Sequence, residues 1–153
     1  MNGKRHKSKN VKLYNVIFPF WLLILVPQMW LIVLPGNFII DSIVLLVSMM
    51  ILKIDDRKQK YKKYILKIFL FGMLSDVIGS AFLFVMLITE VSSMGDEIYI
   101  TIPAIIISAV LIYVFNYFFT FKKAEVSFRR KMSLIFAIVT APYTFLIPTT
   151  WLY

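Results

Sequence analysis

The basic residues of this chain fall into three short clusters, and the stretches between and after the clusters are long and apolar. Lys4–Lys12 holds five of them, Lys53–Lys67 seven and Lys122–Lys131 five, which accounts for all 17. The runs 13–52, 68–121 and 132–153 hold none. Lys and Arg that flank membrane spans stay on the cytoplasmic side. Three clusters on one side require the chain to leave and return between them. The pattern therefore predicts an all-α, polytopic helical membrane protein with a cytoplasmic N-terminus.

Composition agrees. Of 153 residues, 60% are hydrophobic and the mean hydropathy is +0.82, whereas soluble domains carry about 45–50% apolar residues. The net charge of +9 invites a nucleic-acid reading. Membrane sidedness and anionic lipid head groups at the cytoplasmic face account for it instead, so no nucleic acid is expected. The chain has no cysteine and one histidine, His6, within the basic tail. Disulfides, thiolate chemistry and a zinc centre are thereby disfavoured. No phosphate loop, G-x-S-x-G elbow or H-E-x-x-H motif is present, and neither an enzyme nor a cofactor is expected. The apolar run after the basic tail is too long for a signal peptide and lacks a small-x-small site, which predicts a retained span.

The expected layout is a basic tail at 1–12 and one transmembrane domain at 13–153, with about five spans near 14–34, 38–53, 67–88, 99–121 and 132–152. Leu34-Pro35-Gly36-Asn37 reads as the turn between the first two spans, with Asn37 as N-cap. Pro19 and Pro27 kink the first span. Asp55–Tyr64 reads as a helical extension of the second and third spans, with Tyr61 and Tyr64 at head-group level. Residues 89–98 join the third and fourth spans and carry Glu90, Asp96 and Glu97 but no base, consistent with the external side. Trp151 and Tyr153 anchor an external C-terminus. Pro142 and Pro148 weaken the last span, so the alternative is four spans plus a re-entrant C-terminal segment.

Asp76 is the most informative residue. It falls near the middle of the third span, where a carboxylate costs about 2.5–3.5 kcal/mol on insertion scales and so faces protein or water. Small residues surround it: Gly72, Ser75, Gly79 and Ser80. Ser75 and Gly79 form a small-xxx-small pair that admits a neighbouring helix. Asp76 is read either as part of a proton or cation relay or as a structural acid that fixes helix packing. Asp41, four residues after Asn37, reads as an acid stabilised by the helix dipole near the external side. It is expected about 10–13 Å from Asp76 in depth. Asn116 is expected close enough to Asp76 for a direct or water-bridged contact, and Gln28 is a candidate partner for Asp41. Thr140 is expected to serve a carbonyl freed by Pro142.

Three stretches, Leu34-Pro35-Gly36-Asn37-Phe38-Ile39-Ile40-Asp41-Ser42, Asn116-Tyr117-Phe118-Phe119-Thr120-Phe121-Lys122-Lys123 and Thr140-Ala141-Pro142-Tyr143-Thr144-Phe145-Leu146-Ile147-Pro148, resemble a group of small uncharacterised bacterial multi-pass membrane proteins. That resemblance implies a bacterial plasma-membrane location and no particular activity. Asn116–Lys123 also resembles the span ends of GtrA-type lipid-linked sugar translocation proteins, without their paired motif. Two functional expectations follow. One is a small membrane protein that moves, or assists the movement of, a solute, lipid or proton by way of Asp76. The other is a non-catalytic subunit or scaffold that packs through the Ser75/Gly79 face onto itself or a membrane protein partner.

Overall fold

The computed structural model describes residues 30–89 and 98–146, and every regular element among them is helical. Helix α1 runs Trp30–Ile51, α2 Arg57–Ile88 and α3 Ile98–Phe115, which a π-helical turn at Asn116–Thr120 continues. Helix α4 runs Val126–Val139, and a 3-10 turn follows at Tyr143–Leu146. Trp30–Ile51, Arg57–Met86 and Ile98–Thr120 are long and apolar enough to cross a membrane. The basic tail, Pro19, Pro27, Gln28, the acidic joint at 90–97, Pro148, Trp151 and Tyr153 lie outside the described residues.

Two expected boundaries are corrected. Leu34-Pro35-Gly36-Asn37 is not a turn: α1 passes through it with Pro35 inside the helix. Such a sequence ends helices in water, where the freed backbone groups find solvent. In an apolar setting an unwound backbone has no such partner, and a helix with one missing bond is the better solution. The stretch 38–53 is therefore the latter part of a helix that already includes Trp30. The expected last span, 132–152, also changes. Helix α4 begins earlier, at Val126, and stops at Val139 after 14 residues, about 21 Å of helix. Pro142 cannot donate to Ile138, and it pushes Ala141 out of helical geometry. The described residues thus hold three helices of spanning length and a shorter fourth.

The turn between α1 and α2 closes with a Schellman motif. Ile54 N–H donates to Met49 O at 3.0 Å and Lys53 N–H to Met50 O at 3.1 Å, with Lys53 at φ 51°. Ile54 then packs on the apolar core, the hydrophobic contact that accompanies this cap. A Cβ is unfavourable at that φ. Lys53→Gly is expected to raise stability by about 0.5–1 kcal/mol after the larger unfolded-state entropy of glycine is subtracted; thermal unfolding in mild detergent measures it.

Helix α2 has 32 residues, about 48 Å, against a hydrocarbon core of about 30 Å. Its first turns, which carry most of the second basic cluster, form the expected helical extension, but on α2 alone. Tyr64 does not face outward. It is buried, edge-on against Phe121 at 5.1 Å, and Phe128 meets Phe121 at 5.6 Å.

Packing divides into two apolar clusters. Leu45, Met49, Ile68, Ile112, Met132 and Phe136 centre the one at the basic end. Leu83, Ala104, Ile105, Ala141 and Phe145 form the other. Along α1 and α2 the two clusters are separated by residues 36–41 and 72–76, and the intramembrane acids lie in that gap.

Candidate functional site

A cavity of about 590 Å³ occupies the gap, bounded by α1, α2 and the chain that follows α4. Two glycines make room for it. Among the described residues, a Cβ on Gly36 would meet nothing within 4 Å, and one on Gly72 would stand 3.6 Å from Asp41 Oδ2. Asp41 reaches across from α1 to α2 at Gly72, one helical turn before Asp76. Asn37, inside α1 rather than capping it, donates from Nδ2 to Met73 Sδ at 3.2 Å and ties the same two helices together.

Asp41 and Asp76 both line this cavity, 6% and 8% exposed. The depth separation expected from the sequence depended on a turn at 34–37. With α1 continuous, Asp41 sits mid-helix, about 16 Å along the axis from Trp30. No basic residue occurs in 13–52 or 68–121 to neutralise the pair. Among the described residues Asp76 Oδ1 has no hydrogen-bond partner and is buried, a state that costs more for a charged group than for a neutral one.

The small residues around Asp76 divide between two jobs. Gly72 serves the cavity. Ser75, Gly79 and Ser80 face into the bundle, all buried. Ser108 Oγ of α3 donates to Ser75 O at 3.2 Å, while Ser75 Oγ donates to Phe71 O at 2.8 Å. A Cβ on Gly79 would land on Ser108 Oγ and stand 3.2 Å from Phe145 Cε2 and 3.4 Å from Ala104 O. The small-xxx-small face is thus filled by α3 of the same chain. Ser80 Oγ is buried with no partner.

Asn116 does not meet Asp76. It is fully buried at the start of the π-helical turn, donates from Nδ2 to Ile112 O at 3.0 Å, and is absent from the cavity wall. Its side chain takes the carbonyl that an α-helical turn would use, and the backbone widens, with Phe121 N–H donating to Asn116 O at 2.9 Å. Tyr117, next to it, carries the Arg129 guanidinium 3.7 Å above its ring. Gln28, the expected partner of Asp41, lies outside the described residues.

The sequence reading left out the third wall, Thr140–Thr144. Thr140 does serve a carbonyl, but that of Phe136, with Oγ1 at 2.8 Å. The Ile138 carbonyl left open by Pro142 accepts the Tyr143 hydroxyl. Pro142 was the signal: a proline four residues beyond a carbonyl needs a substitute donor nearby, and Tyr143 is the next residue. Among the described residues no group of three or more His, Asp or Glu gathers to hold a metal ion. What the arrangement offers chemically is two carboxylates in a largely apolar chamber, suited to taking up and releasing a positive charge. The chain matches no protein-family model, no curated protein and no solved structure.

Proposed function

We propose that this is a small integral membrane protein that moves protons, alone or in exchange for a second cation, by way of Asp41 and Asp76. The observation that carries this reading is that Asp76, with one oxygen unpartnered among the described residues, lines a cavity that Asp41 also lines and that no base lines. Intramembrane acids are expensive and cluster on ion and proton pathways. In this reading the membrane is a bacterial plasma membrane, and the turns at 52–56 and 121–125, which carry lysines, face the cytoplasm. In this reading the acids lie about midway across the bilayer. The Ser75/Gly79 face, through which a scaffold would pack onto a partner, is covered by α3 of the same chain, which favours the proton reading.

Purified protein in liposomes loaded with a pH-sensitive dye tests the reading. Collapse of an acid-inside gradient is measured with sodium, potassium or choline outside. The wild type is expected to exceed empty liposomes, and Asp76→Asn to lower the protein-dependent rate at least tenfold. Equal rates for a correctly inserted Asp76→Asn protein and the wild type would remove Asp76 from the pathway.

A further inference from the structure

We infer that the second cation is an amphiphilic organic monocation, a quaternary or protonated onium group on an apolar body, held with its charge at Asp41 and Asp76. This rests on the proton-pathway reading and names the ligand class of the same cavity.

Three observations carry it. The first is size: about 590 Å³ falls within the roughly 300–1,000 Å³ of small-molecule pockets, and a dehydrated inorganic ion would leave most of it vacant. The second is the donor set. Calcium takes six to eight oxygen ligands and magnesium demands near-octahedral geometry, yet the two carboxylates here stand among Val33, Ile40, Met73 and Pro142. An onium ion spreads its charge and needs no such shell, and the apolar wall suits its body. The third is that Asp76, more than nine-tenths buried, lines the same chamber and carries an oxygen with no hydrogen-bond partner among the described residues, and no lysine or arginine in 13–52 or 68–121 competes for it. Tyr143 adds an aromatic ring to the wall, a surface that attracts cations.

Protons and an onium ion would compete for the same carboxylates, so acid should release the ligand. The titratable groups that line the cavity are Asp41 from α1, Asp76 from α2 and Tyr143 after α4. Helix α3, packed against α2, contributes no charged residue.

The test uses the full chain and tetraphenylphosphonium as probe. Equilibrium binding in mild detergent should saturate near one per chain and fall at least tenfold on acidification. Asp76→Asn should weaken it at least tenfold. Gly36→Leu should do the same by filling the chamber; the open space at Gly36 and the higher helix propensity of leucine keep that variant folded. Tetraphenylborate, of matching shape and opposite charge, should not bind. In dye-loaded liposomes, tetraphenylphosphonium outside should speed proton loss. Proton loss that depends on Asp76 but ignores the probe, with no binding in detergent, overturns the onium inference and leaves the proton pathway standing. Absence of both proton movement and binding overturns the two together. Equal binding of the borate overturns the role of charge.

Discussion

Gly79→Leu is expected to abolish the folded protein. The glycine lies where α2 packs tightly on α3: a single added carbon would fall on Ser108 Oγ and press on Phe145 and the Ala104 carbonyl. Two of those three neighbours cannot give way easily. The Ala104 oxygen belongs to a helix backbone, and Phe145 is buried in the second apolar cluster. Overpacking by a methylene or so costs about 1–3 kcal/mol, the range expected for Gly79→Ala. Leucine adds three further carbons, which the closely packed interface cannot hold, and the helices must part. Size-exclusion profiles in mild detergent should show a monodisperse wild type, a reduced Gly79→Ala peak and no monodisperse Gly79→Leu. The cause can be isolated with Ser108→Ala, which removes the oxygen in the way. Combined with Gly79→Ala it should recover part of the loss, a favourable coupling of about 0.5–3 kcal/mol. Purely additive losses in the double variant would show that the clash is not with Ser108.

Asp76→Leu is expected to have a large effect in the opposite direction. Its buried oxygen lacks a partner, and removal of an unsatisfied buried polar group returns about 1–3 kcal/mol. The leucine side chain is larger, but Asp76 lines a chamber with space for it. Stability should therefore rise by about 1–3 kcal/mol while proton movement disappears, the trade expected when a group is retained for activity at the expense of stability. Asp76→Asn should gain less, since an amide also needs partners. Thermal unfolding of the three proteins in one detergent decides this, and a loss of more than about 1 kcal/mol in Asp76→Leu would mark the acid as structural.

Much of this architecture could be read from the residues. The basic clusters predicted helices between them, and α2 and α3 end near the positions expected for spans 67–88 and 99–121. The small face at Ser75 and Gly79 was legible as a packing surface because glycine and serine at that spacing have few other uses in an apolar helix. That α3 of the same chain fills it was not legible, since the pattern says how close a helix may come and not which one. Pro35-Gly36-Asn37 misled because turn propensities reflect a solvent that accepts backbone hydrogen bonds. That one error hid the site: it placed Asp41 near a helix start, far in depth from Asp76. Asn116 misled for a different reason. Its amide is spent on the Ile112 carbonyl of its own helix, which spacing alone does not reveal.

The end of α4 at Val139 has a consequence for hydration. The segment after it, from Thr140 to Leu146, is not α-helical, yet α4 has risen only about 21 Å, short of the roughly 30 Å hydrocarbon thickness. Irregular backbone at such depth is stable only when buried in protein or bordering an aqueous space. Thr140 to Thr144 border the chamber that holds Asp41 and Asp76. In the proton-pathway reading, the proline that shortens the fourth helix leaves polar backbone beside the two acids, and water drawn to that backbone is the route by which a proton would reach them.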